Sequence, residues 1–388
     1  ADYELEITPT RRGAARFRPH GVMAVVGPFN FPMHLPNGHI VPALLMGNTV
    51  VFKPSDKAPA CGHRLAELYR EAIAGVGGPP GVVNLVHGAG DVAAALVTHA
   101  ALDGILFTGS WPVGRRIVEA NLDHPGRIIA LEMGGNNAAY VHEDADLEHA
   151  ALECLRGSFI SAGQRCTCTR RIVVHERVID AFVKKMATLT STVLIGDPRG
   201  EAGQDVFMGP VITEDAATAV VNAQSAWVRG GATPVIESKV LDHPSGGHFV
   251  SPGITRVDRF TPEEGEAPGC DIEIFGPLVR IASVSSLDEA IGQVGATRFG
   301  LAAAVFTADV GSGGAAARFL NEVRAGCVNV NNATAGASGT LPFGGFGLSG
   351  NHRPAGAFSL DYCAAPVASL IETDTSQRPV PPGVRYGK

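Results

Sequence analysis

Short apolar runs alternate with helical stretches from residue 22 onward, and this alternation limits the possible folds more than any other feature of the sequence. The runs are rich in β-branched residues. They lie at residues 22–27, 48–53, 81–88, 104–110 and 127–134. Short apolar runs joined by helices are typical of a parallel sheet buried on both faces. The first part of the chain is therefore predicted to form a doubly wound α/β domain.

A second series of the same kind follows. It comprises a strand at 136–141, a helix at 146–163, a strand at 170–176, a helix at 177–190, a strand at 278–284 and a helix at 287–296. Glycine- and proline-rich loops are expected between the second helix and the last strand. This series predicts a second α/β unit. Cys166 falls in the loop between its first helix and the next strand, where a side chain can face a cleft.

The chain has 388 residues, enough for two domains of ordinary size. Its net charge of −7 provides no basic stripe, so no nucleic-acid partner is predicted. Its apolar runs are far shorter than the ~20 residues that cross a bilayer, and residues 1–13 lack the apolar centre of a signal peptide. We therefore expect a cytoplasmic protein with no membrane partner.

Seven cysteines are scattered along the chain, an odd number that does not suit a disulfide framework. Cys166 and Cys168 are the nearest approach to a metal motif, but no second pair of ligands lies near them, and no metal is predicted. A cysteine in a large intracellular protein is more often a packed thiol than a nucleophile. Cys166 becomes a nucleophile only if other catalytic groups accompany it.

Three other places in the sequence offer such groups. Glu132 closes an apolar strand and precedes two glycines, at the strand end where doubly wound sheets bind ligands, although it is equally a surface acid. Asn30 lies in a proline-rich loop, where a fixed amide can donate to an oxyanion or can simply form a turn. Lys53 and Asp56 follow another strand and suit ribose hydroxyls or a surface ion pair.

Seven ordered motifs over residues 20–350 resemble those of the NAD(P)-dependent aldehyde dehydrogenase superfamily. They are GPFNFP, FKPS, FTGS with VG, LEMGGNN, GQRCT, EIFGP and PFGG with SG. This resemblance implies an α/β fold with a Rossmann-like cofactor domain, an α/β catalytic domain and a β oligomerisation arm. It also implies an enzyme that oxidises a small aldehyde.

The roles of the catalytic residues come from the same resemblance. Cys166 matches the nucleophile that attacks the aldehyde carbonyl and forms a thiohemiacetal. Asn30 and the backbone N–H of Cys166 match the donors that hold its oxyanion. Glu132 matches the general base that activates water to hydrolyse the thioester.

The cofactor implied by the resemblance is NAD. Residues that match its site are Lys53, Ser55, Asp56, Gly109, Ser110, Gly114, Glu273 and Phe275. The three residues at 109–114 match a turn and helix start, which offer free N–H groups and a positive dipole to the pyrophosphate. Asp56 stands where the family often has glutamate, and a carboxylate there pairs with a free 2′-hydroxyl but repels a 2′-phosphate. NAD is therefore favoured over NADP.

Residues 331–340 match the loop that lines the substrate mouth in this family. The loop is small and glycine-rich, so its N–H groups and the Ser338 hydroxyl suit a carboxylate. GQRCTCTRR and the segment from residue 349 to 370 resemble a branch whose substrate carries two carboxylates and an amide. Arg165 and Arg353 are its candidate carboxylate ligands, although either arginine can instead pair internally.

The resemblance also predicts the domain boundaries. Residues 1–21 match part of the oligomerisation arm, 22–134 the NAD-binding domain, 135–350 the catalytic domain, 351–373 a return segment and arm strand, and 374–388 a tail. Family members usually carry a longer segment before residue 16, so we expect its lack to affect stability and NAD binding. The arm implies a homo-oligomer, either a dimer or a tetramer.

Four alternatives remain open from the sequence. The chain can be an aldehyde dehydrogenase for another small polar aldehyde, or a relative that has lost activity. A coenzyme A-acylating relative generally lacks the glutamate, so Glu132 counts against it. A cysteine hydrolase would have no use for the motifs at 107–114 and 273–277.

Overall fold

A computed structural model describes residues 2–200, 205–376 and 380–385. The strands in these ranges are β1 Tyr3–Thr8, β2 Arg11–Pro19, β3 Val22–Val26, β4 Thr49–Lys53, β5 Val83–Leu85, β6 Gly104–Gly109, β7 Ile128–Met133, β8 Asn137–Val141, β9 Thr169–His175, β10 Thr233–Ile236, β11 Val240–Leu241, β12 Phe249–Val250, β13 Gly253–Arg256, β14 Leu278–Val284, β15 Ala302–Phe306, β16 Cys327–Val330 and β17 Ala364–Glu372. The helices are α1 His34–Leu45, α2 Pro59–Gly75, α3 Gly90–Val97, α4 Trp111–Glu119, α5 Leu147–Phe159, α6 Ile179–Thr190, α7 Glu214–Arg229, α8 Leu287–Val294, α9 Ala315–Glu322 and α10 Ser359–Tyr362. The tail predicted at 374–388 lies partly outside the described residues.

The first sheet has five strands in the order β5-β4-β3-β6-β7, and every neighbouring pair is parallel. Its strands are apolar on both faces because helices cover both. In β7, Ala130 packs into the cluster on one face, whereas Leu131 and Met133 pack into the cluster on the other. A doubly wound parallel sheet is thus present where the alternating apolar runs predict one.

The second sheet has seven strands in the order β10-β13-β14-β9-β8-β15-β16. Its pairs are parallel except for β10 with β13. The main hydrophobic core lies on this sheet and includes Tyr140, Phe182, Trp227 and Phe306. Residues 214–229, expected to lie among loops, instead form the 16-residue helix α7, whose Trp227 is buried in this core.

A third sheet projects beside these two units. It is antiparallel, in the order β1-β2-β17, and joins the N-terminal hairpin to a strand near the other end of the chain. Tyr3, Leu5, Ile7 and Leu370 are exposed on it. None of the helices among the described residues has both the length and the apolar character needed to cross a bilayer.

Candidate active site

A cavity of about 870 Å³ lies where the two parallel sheets face each other. One side is formed by residues at or just after the carboxyl ends of β3, β4, β6 and β7. The other side is formed by the loops that precede β9 and β14. Ligands of doubly wound sheets bind outside the carboxyl ends of the strands, so the cavity occupies the expected place.

The cavity brings together most of the residues singled out from the sequence. Those that line it are Asn30, Lys53, Ser55, Asp56, Gly109, Ser110, Glu132, Cys166, Glu273 and Phe275. Gly114, Arg165, Ser338 and Arg353 are not among its lining residues.

A left-handed turn presents Cys166 to this cavity. Asp146 is the N-cap of helix α5, and its carboxylate accepts from the N–H groups of Glu148 and His149. The helix ends at Phe159. Ser161 and Ala162 then adopt φ values of 55° and 53°. Such conformations are costly for residues with a Cβ and are often found at functional sites.

Gly163 completes this turn, with a φ of 69°. A Cβ on Gly163 would lie 2.1 Å from the carbonyl oxygen of Gly276, so a side chain has no room there. The nucleophile loop and the segment before β14 therefore touch directly. The predicted helix continued to residue 163 because the sequence SAG carries no signal for this reversal.

Asn137 holds the backbone of the cysteine itself. Its Nδ2 donates to the carbonyl oxygens of Cys166 and Cys168, at 2.7 and 2.9 Å. Its Oδ1 accepts from the N–H of Ala302 at 2.9 Å. No role was predicted for Asn137, although it is the last residue of the LEMGGNN motif that contains Glu132. One side chain thus ties the nucleophile loop to the adjoining strands β8 and β15.

Asn30 follows the end of β3 in a loop braced by Pro28 and Pro32. Its Nδ2 donates to the carbonyl oxygen of Gln164 at 2.9 Å. The Gln164 side chain accepts in turn from the N–H of Ile212 at 2.9 Å. A primary amide has two N–H bonds, so Asn30 can hold this carbonyl and still donate to a ligand.

Glu132 is the most strongly perturbed acid in the cavity wall. It is 5% exposed, and its Oε2 is buried without a hydrogen-bond partner among the described residues. Burial raises its pKa well above 4.5, and a hydrogen bond from the Ala355 backbone opposes this only in part. A carboxyl group of this kind takes up a proton at a higher pH than an exposed one does and is a stronger base when ionised.

The Cys166 thiol lies in the same electrostatic environment. Burial raises its pKa, and the negative charges of Glu132 and Glu273 raise it further. Because the three groups influence one another, ionisation of one disfavours ionisation of the others. The thiolate therefore forms more readily when Glu132 is neutral or has taken up the thiol proton.

Lys53 ends β4 and Asp56 follows three residues later, and both line the cavity. Lys53 Nζ donates to the Pro54 carbonyl at 2.7 Å. Burial lowers the pKa of Lys53, and the charges of Asp56 and Asp91 act in the opposite direction. Two polar groups of opposite charge at a strand end can hold ribose hydroxyls.

Helix α4 points its N-terminus at the cavity. Ser110 precedes it in extended conformation, and no side chain among the described residues caps it. The N–H of Gly114, within α4, donates to the Ser110 carbonyl at 3.0 Å. A Cβ on Gly114 would lie 2.4 Å from Met133 Sδ. Gly114 therefore lets α4 pack closely on β7, and its place in the turn and helix start that receive the pyrophosphate stays a prediction.

Glu273 enters the cavity from the second unit. Its Oε1 accepts from the N–H of Gly135 at 3.1 Å. A Cβ on Gly134 would lie 1.9 Å from Glu273 Oε2, so a side chain at this position would displace the Glu273 carboxylate. The Phe275 ring meets Phe29 edge-on, with centroids 5.9 Å apart.

Asp271, a second residue that sequence analysis missed, fixes this segment. Its buried carboxylate accepts from Asn136 Nδ2 at 2.8 Å, from Thr297 Oγ1 at 2.6 Å and from the Arg298 N–H at 2.8 Å. Because Asp271 lies two residues before Glu273, these bonds hold the start of the EIFGP motif in place.

The residues present fit a dinucleotide. An uncapped helix N-terminus suits a pyrophosphate, and the two carboxylates of Asp56 and Glu273 in the cavity lining suit the hydroxyls of two riboses. The gap that Gly134 leaves for the Glu273 carboxylate suits close approach of a ribose to the backbone.

The three predicted substrate ligands lie outside the cavity wall. Arg165 has its Cζ 5.0 Å from the centre of the Phe31 ring, and its Nε donates to Ser161 Oγ at 3.0 Å. The exposed Ser338 pairs its hydroxyl with Thr340 at 2.9 Å. Arg353 donates to the His352 carbonyl at 3.2 Å. Arg165 alone of the three adjoins both the nucleophile and the loop that follows Asn30.

The fold and the cavity together define a nicotinamide-dependent oxidoreductase. The family follows from comparison with known proteins, because residues 2–366 match the aldehyde dehydrogenase family. The chain belongs to this family. The predicted α/β fold class is confirmed by the same match and by the similar solved structures described next.

Three relatives show how similar the chain is to known proteins. It is 46% identical over 354 residues to N-succinylglutamate 5-semialdehyde dehydrogenase 1 of Caulobacter vibrioides, covering 91% of this chain and 71% of that protein. Betaine aldehyde dehydrogenase from Staphylococcus aureus, in complex with NAD+, is 29% identical with a TM-score of 0.87, covering 97% and 72%. Glyceraldehyde-3-phosphate dehydrogenase from Methanocaldococcus jannaschii, complexed with NADP, is 29% identical with a TM-score of 0.86, covering 96% and 77%.

Proposed function

We propose that this protein oxidises N-succinyl-L-glutamate 5-semialdehyde to N-succinyl-L-glutamate with NAD, a step of arginine catabolism. The observation that carries the proposal is the meeting of Cys166, Glu132 and Asn30 in one cavity beside Glu273. The choice of aldehyde is supported by the Caulobacter vibrioides relative, which carries that name and is 46% identical.

The Cys166 thiolate attacks the aldehyde carbon, and the carbonyl oxygen becomes an oxyanion. Asn30 Nδ2 and the backbone N–H of Cys166 donate to this oxyanion. When bound, NAD supplies the acceptor for the hydride that leaves the former aldehyde carbon. The carbon is then held to Cys166 as a thioester.

Glu132 takes a proton from water, and the resulting hydroxide attacks the thioester carbon. The C–S bond breaks, the carboxylic acid leaves, and the thiolate of Cys166 is restored. The raised pKa of Glu132 suits this role, because a stronger base abstracts the proton more readily. A base in this position favours hydrolysis over transfer of the acyl group to coenzyme A.

NAD is favoured over NADP by a feature of this chain. The relatives in the family include one complexed with NAD+ and one complexed with NADP, so the choice depends on local residues. Asp56 lines the adenosine end of the cavity and would repel a 2′-phosphate. Lys53 beside it binds the same ribose.

The substrate tail carries carboxylates, and Arg165, which adjoins Cys166, is the proposed ligand of one of them. An aldehyde held between Asn30 and Cys166 extends past their neighbours Phe31 and Arg165, which already contact each other. The ring keeps the guanidinium extended, and its remaining N–H groups suit bidentate pairing. Ser338 and Arg353 remain proposed ligands for the more distant carboxylate.

We also propose a cytoplasmic homo-oligomer, either a dimer or a tetramer. The edges and the exposed apolar side chains of the β1-β2-β17 sheet are the surface that a second copy would cover. All seven cysteines are free thiols, which suits a reducing compartment.

The decisive assay follows NADH formation with N-succinylglutamate semialdehyde and, separately, with short aliphatic aldehydes. The proposal predicts a kcat/KM at least about a hundredfold higher for the succinylated substrate. Preference for an uncharged aldehyde would assign another substrate. Bound NAD without NADH formation from any aldehyde would show an inactive relative.

A further inference from the structure

Arg170 is a buried cation behind the cavity wall that the reaction described above does not use. It is the second residue of β9, four residues after Cys166, and is 2% exposed. Its Nη1 donates to the Gly276 carbonyl at 3.0 Å, and its Nη2 donates to the Arg165 carbonyl at 3.1 Å. One side chain therefore ties the nucleophile loop to the EIFGP segment.

The same guanidinium supports an aromatic contact that reaches the opposite wall. Its Cζ lies 5.4 Å from the centre of the Phe275 ring. Phe275 in turn meets Phe29, the residue before Asn30, with centroids 5.9 Å apart. Arg170 thus adjoins, directly or through one ring, the segments that carry all three of Cys166, Glu273 and Asn30.

The positive charge of Arg170 also acts on Glu273. The charged and titratable groups around the Glu273 carboxylate are Arg170, Asp271 and the thiols of Cys166 and Cys168. Burial raises the pKa of Glu273 and Asp271 raises it further, whereas Arg170 lowers it. Within the described part of the chain Arg170 Nε has no partner, so its charge is not matched by a closer acid.

The neighbouring Arg171 is as buried as Arg170 but has different hydrogen-bond partners. Arg171 is 1% exposed and donates to the carbonyl oxygens of Asn136, Gln293 and Val294. Its Cζ lies 5.3 Å from the Phe260 ring, on the other face of β9. Arg171 braces the core of the sheet, whereas Arg170 faces the cavity wall.

We propose that Arg170 is a positioning residue for NAD: its two hydrogen bonds and its contact with Phe275 fix the two loops that present Cys166 and Glu273. The inference rests on the proposed binding of the nicotinamide ribose by Glu273. An ionised carboxylate accepts two hydrogen bonds from adjacent ribose hydroxyls, whereas a protonated carboxyl group has to donate one. Arg170 reaches the ribose only through Glu273.

Calorimetric titration of NAD into the full chain tests this, because it measures binding without turnover. We expect Arg170→Gln to weaken NAD binding about tenfold at about pH 8 and more strongly as the pH falls, because loss of the Arg170 charge makes Glu273 easier to protonate. Arg170→Lys restores the charge, so its affinity should follow the pH dependence of the wild type.

A double-mutant cycle with Glu273→Gln separates the charge from packing. If Arg170 acts through Glu273, Arg170→Gln should weaken NAD binding by less than about twofold in the Glu273→Gln background. Equal losses in both backgrounds would overturn the inference, as would wild-type affinity and pH dependence in Arg170→Gln. If Arg170→Gln alone fails to fold, Arg170→Met, which keeps most of the length of the side chain without its charge, takes its place in the same cycle with the same predicted outcome.

Titration of the wild-type chain distinguishes failure of the proposed function from failure of the role proposed for Arg170. No NAD binding by the wild-type chain would contradict the proposed function itself. Wild-type binding together with an Arg170→Gln variant that binds equally well would contradict only the role of Arg170. Thermal unfolding of each variant without NAD confirms that a folded protein is being compared.

Discussion

Asn30 Nδ2 donates a 2.9 Å hydrogen bond to the carbonyl oxygen of Gln164, two residues before Cys166. The amide proposed to hold the oxyanion therefore also fixes the loop that carries the nucleophile. Both functions depend on a single side chain that the two prolines around it hold in place. The bond links a loop of the first unit to a loop of the second across the cavity.

Replacing Asn30 by Ala removes the oxyanion donor and this tie together. We expect kcat to fall about 10²- to 10³-fold, as for loss of one oxyanion-hole donor, with NAD affinity little changed. Asn84→Ala is the control. Asn84 lies on β5, outside the cavity lining, and its Nδ2 donates to the Gly81 carbonyl. Steady-state kinetics of both variants are compared, and a kcat for Asn30→Ala within twofold of the wild type would exclude the role.

Ionisation of the buried Glu132 should lower the free energy of unfolding as the pH rises towards neutrality. Its pKa is raised in the folded state, so its contribution to stability is complete below about pH 4.5 and is lost as pH rises through the folded pKa. Glu132→Gln removes the cost of ionising a buried carboxyl group. We expect Tm to rise by a few degrees at about pH 8 and to match the wild type at about pH 4.

The control for this stability measurement is Glu119→Gln. Glu119 is exposed on α4 and forms a surface salt bridge with Arg115. Its Tm should stay within about a degree of the wild type at both pH values. A pH-independent change in Tm for Glu132→Gln would show that Glu132 is not ionised in the folded protein.

Asp56 should decide between the two nicotinamide cofactors. Removing its charge with Asp56→Asn removes repulsion of a 2′-phosphate, so we expect the ratio of kcat/KM for NADP to that for NAD to rise about tenfold. Glu71→Gln, on the exposed face of α2, should leave this ratio unchanged. An unchanged ratio in Asp56→Asn would mean that the side chain does not face the adenosine ribose.

Arg165 should affect charged aldehydes selectively. Arg165→Gln is expected to raise KM for N-succinylglutamate semialdehyde about tenfold and to leave KM for a short uncharged aldehyde within about twofold. Arg353→Gln tests the second proposed ligand in the same assay. Equal losses for both aldehydes in Arg165→Gln would indicate that Arg165 only supports the Phe31 loop.

The sequence predicts the first sheet well because each of its strands is a short apolar run followed by a turn residue or a polar site residue. β3, β4, β6 and β7 all lie within the predicted runs, and the run at 81–88 contains the shorter strand β5. These patterns are local, and burial on both faces makes them visible. The positions of Asn30, Lys53 and Glu132 at the strand ends follow from the same pattern.

Other features depend on contacts that no local pattern reveals. Helix α7 was missed because its alanine- and valine-rich sequence lies among segments rich in glycine and proline. The left-handed turn at Ser161 and Ala162 depends on contact of Gly163 with the segment before β14. The supports supplied by Asn137, Asp271 and Arg170 join residues far apart in sequence, so only the folded chain brings them into view.

The central claim is that Cys166 carries the substrate as a thioester that Glu132 hydrolyses. Glu132→Gln should therefore release about one NADH per active site and then stall. Intact mass spectrometry of the stalled enzyme, followed by peptide mapping, tests this most directly. The account predicts an added acyl group on the peptide that contains Cys166; NADH formation with no acyl group on Cys166 would contradict it.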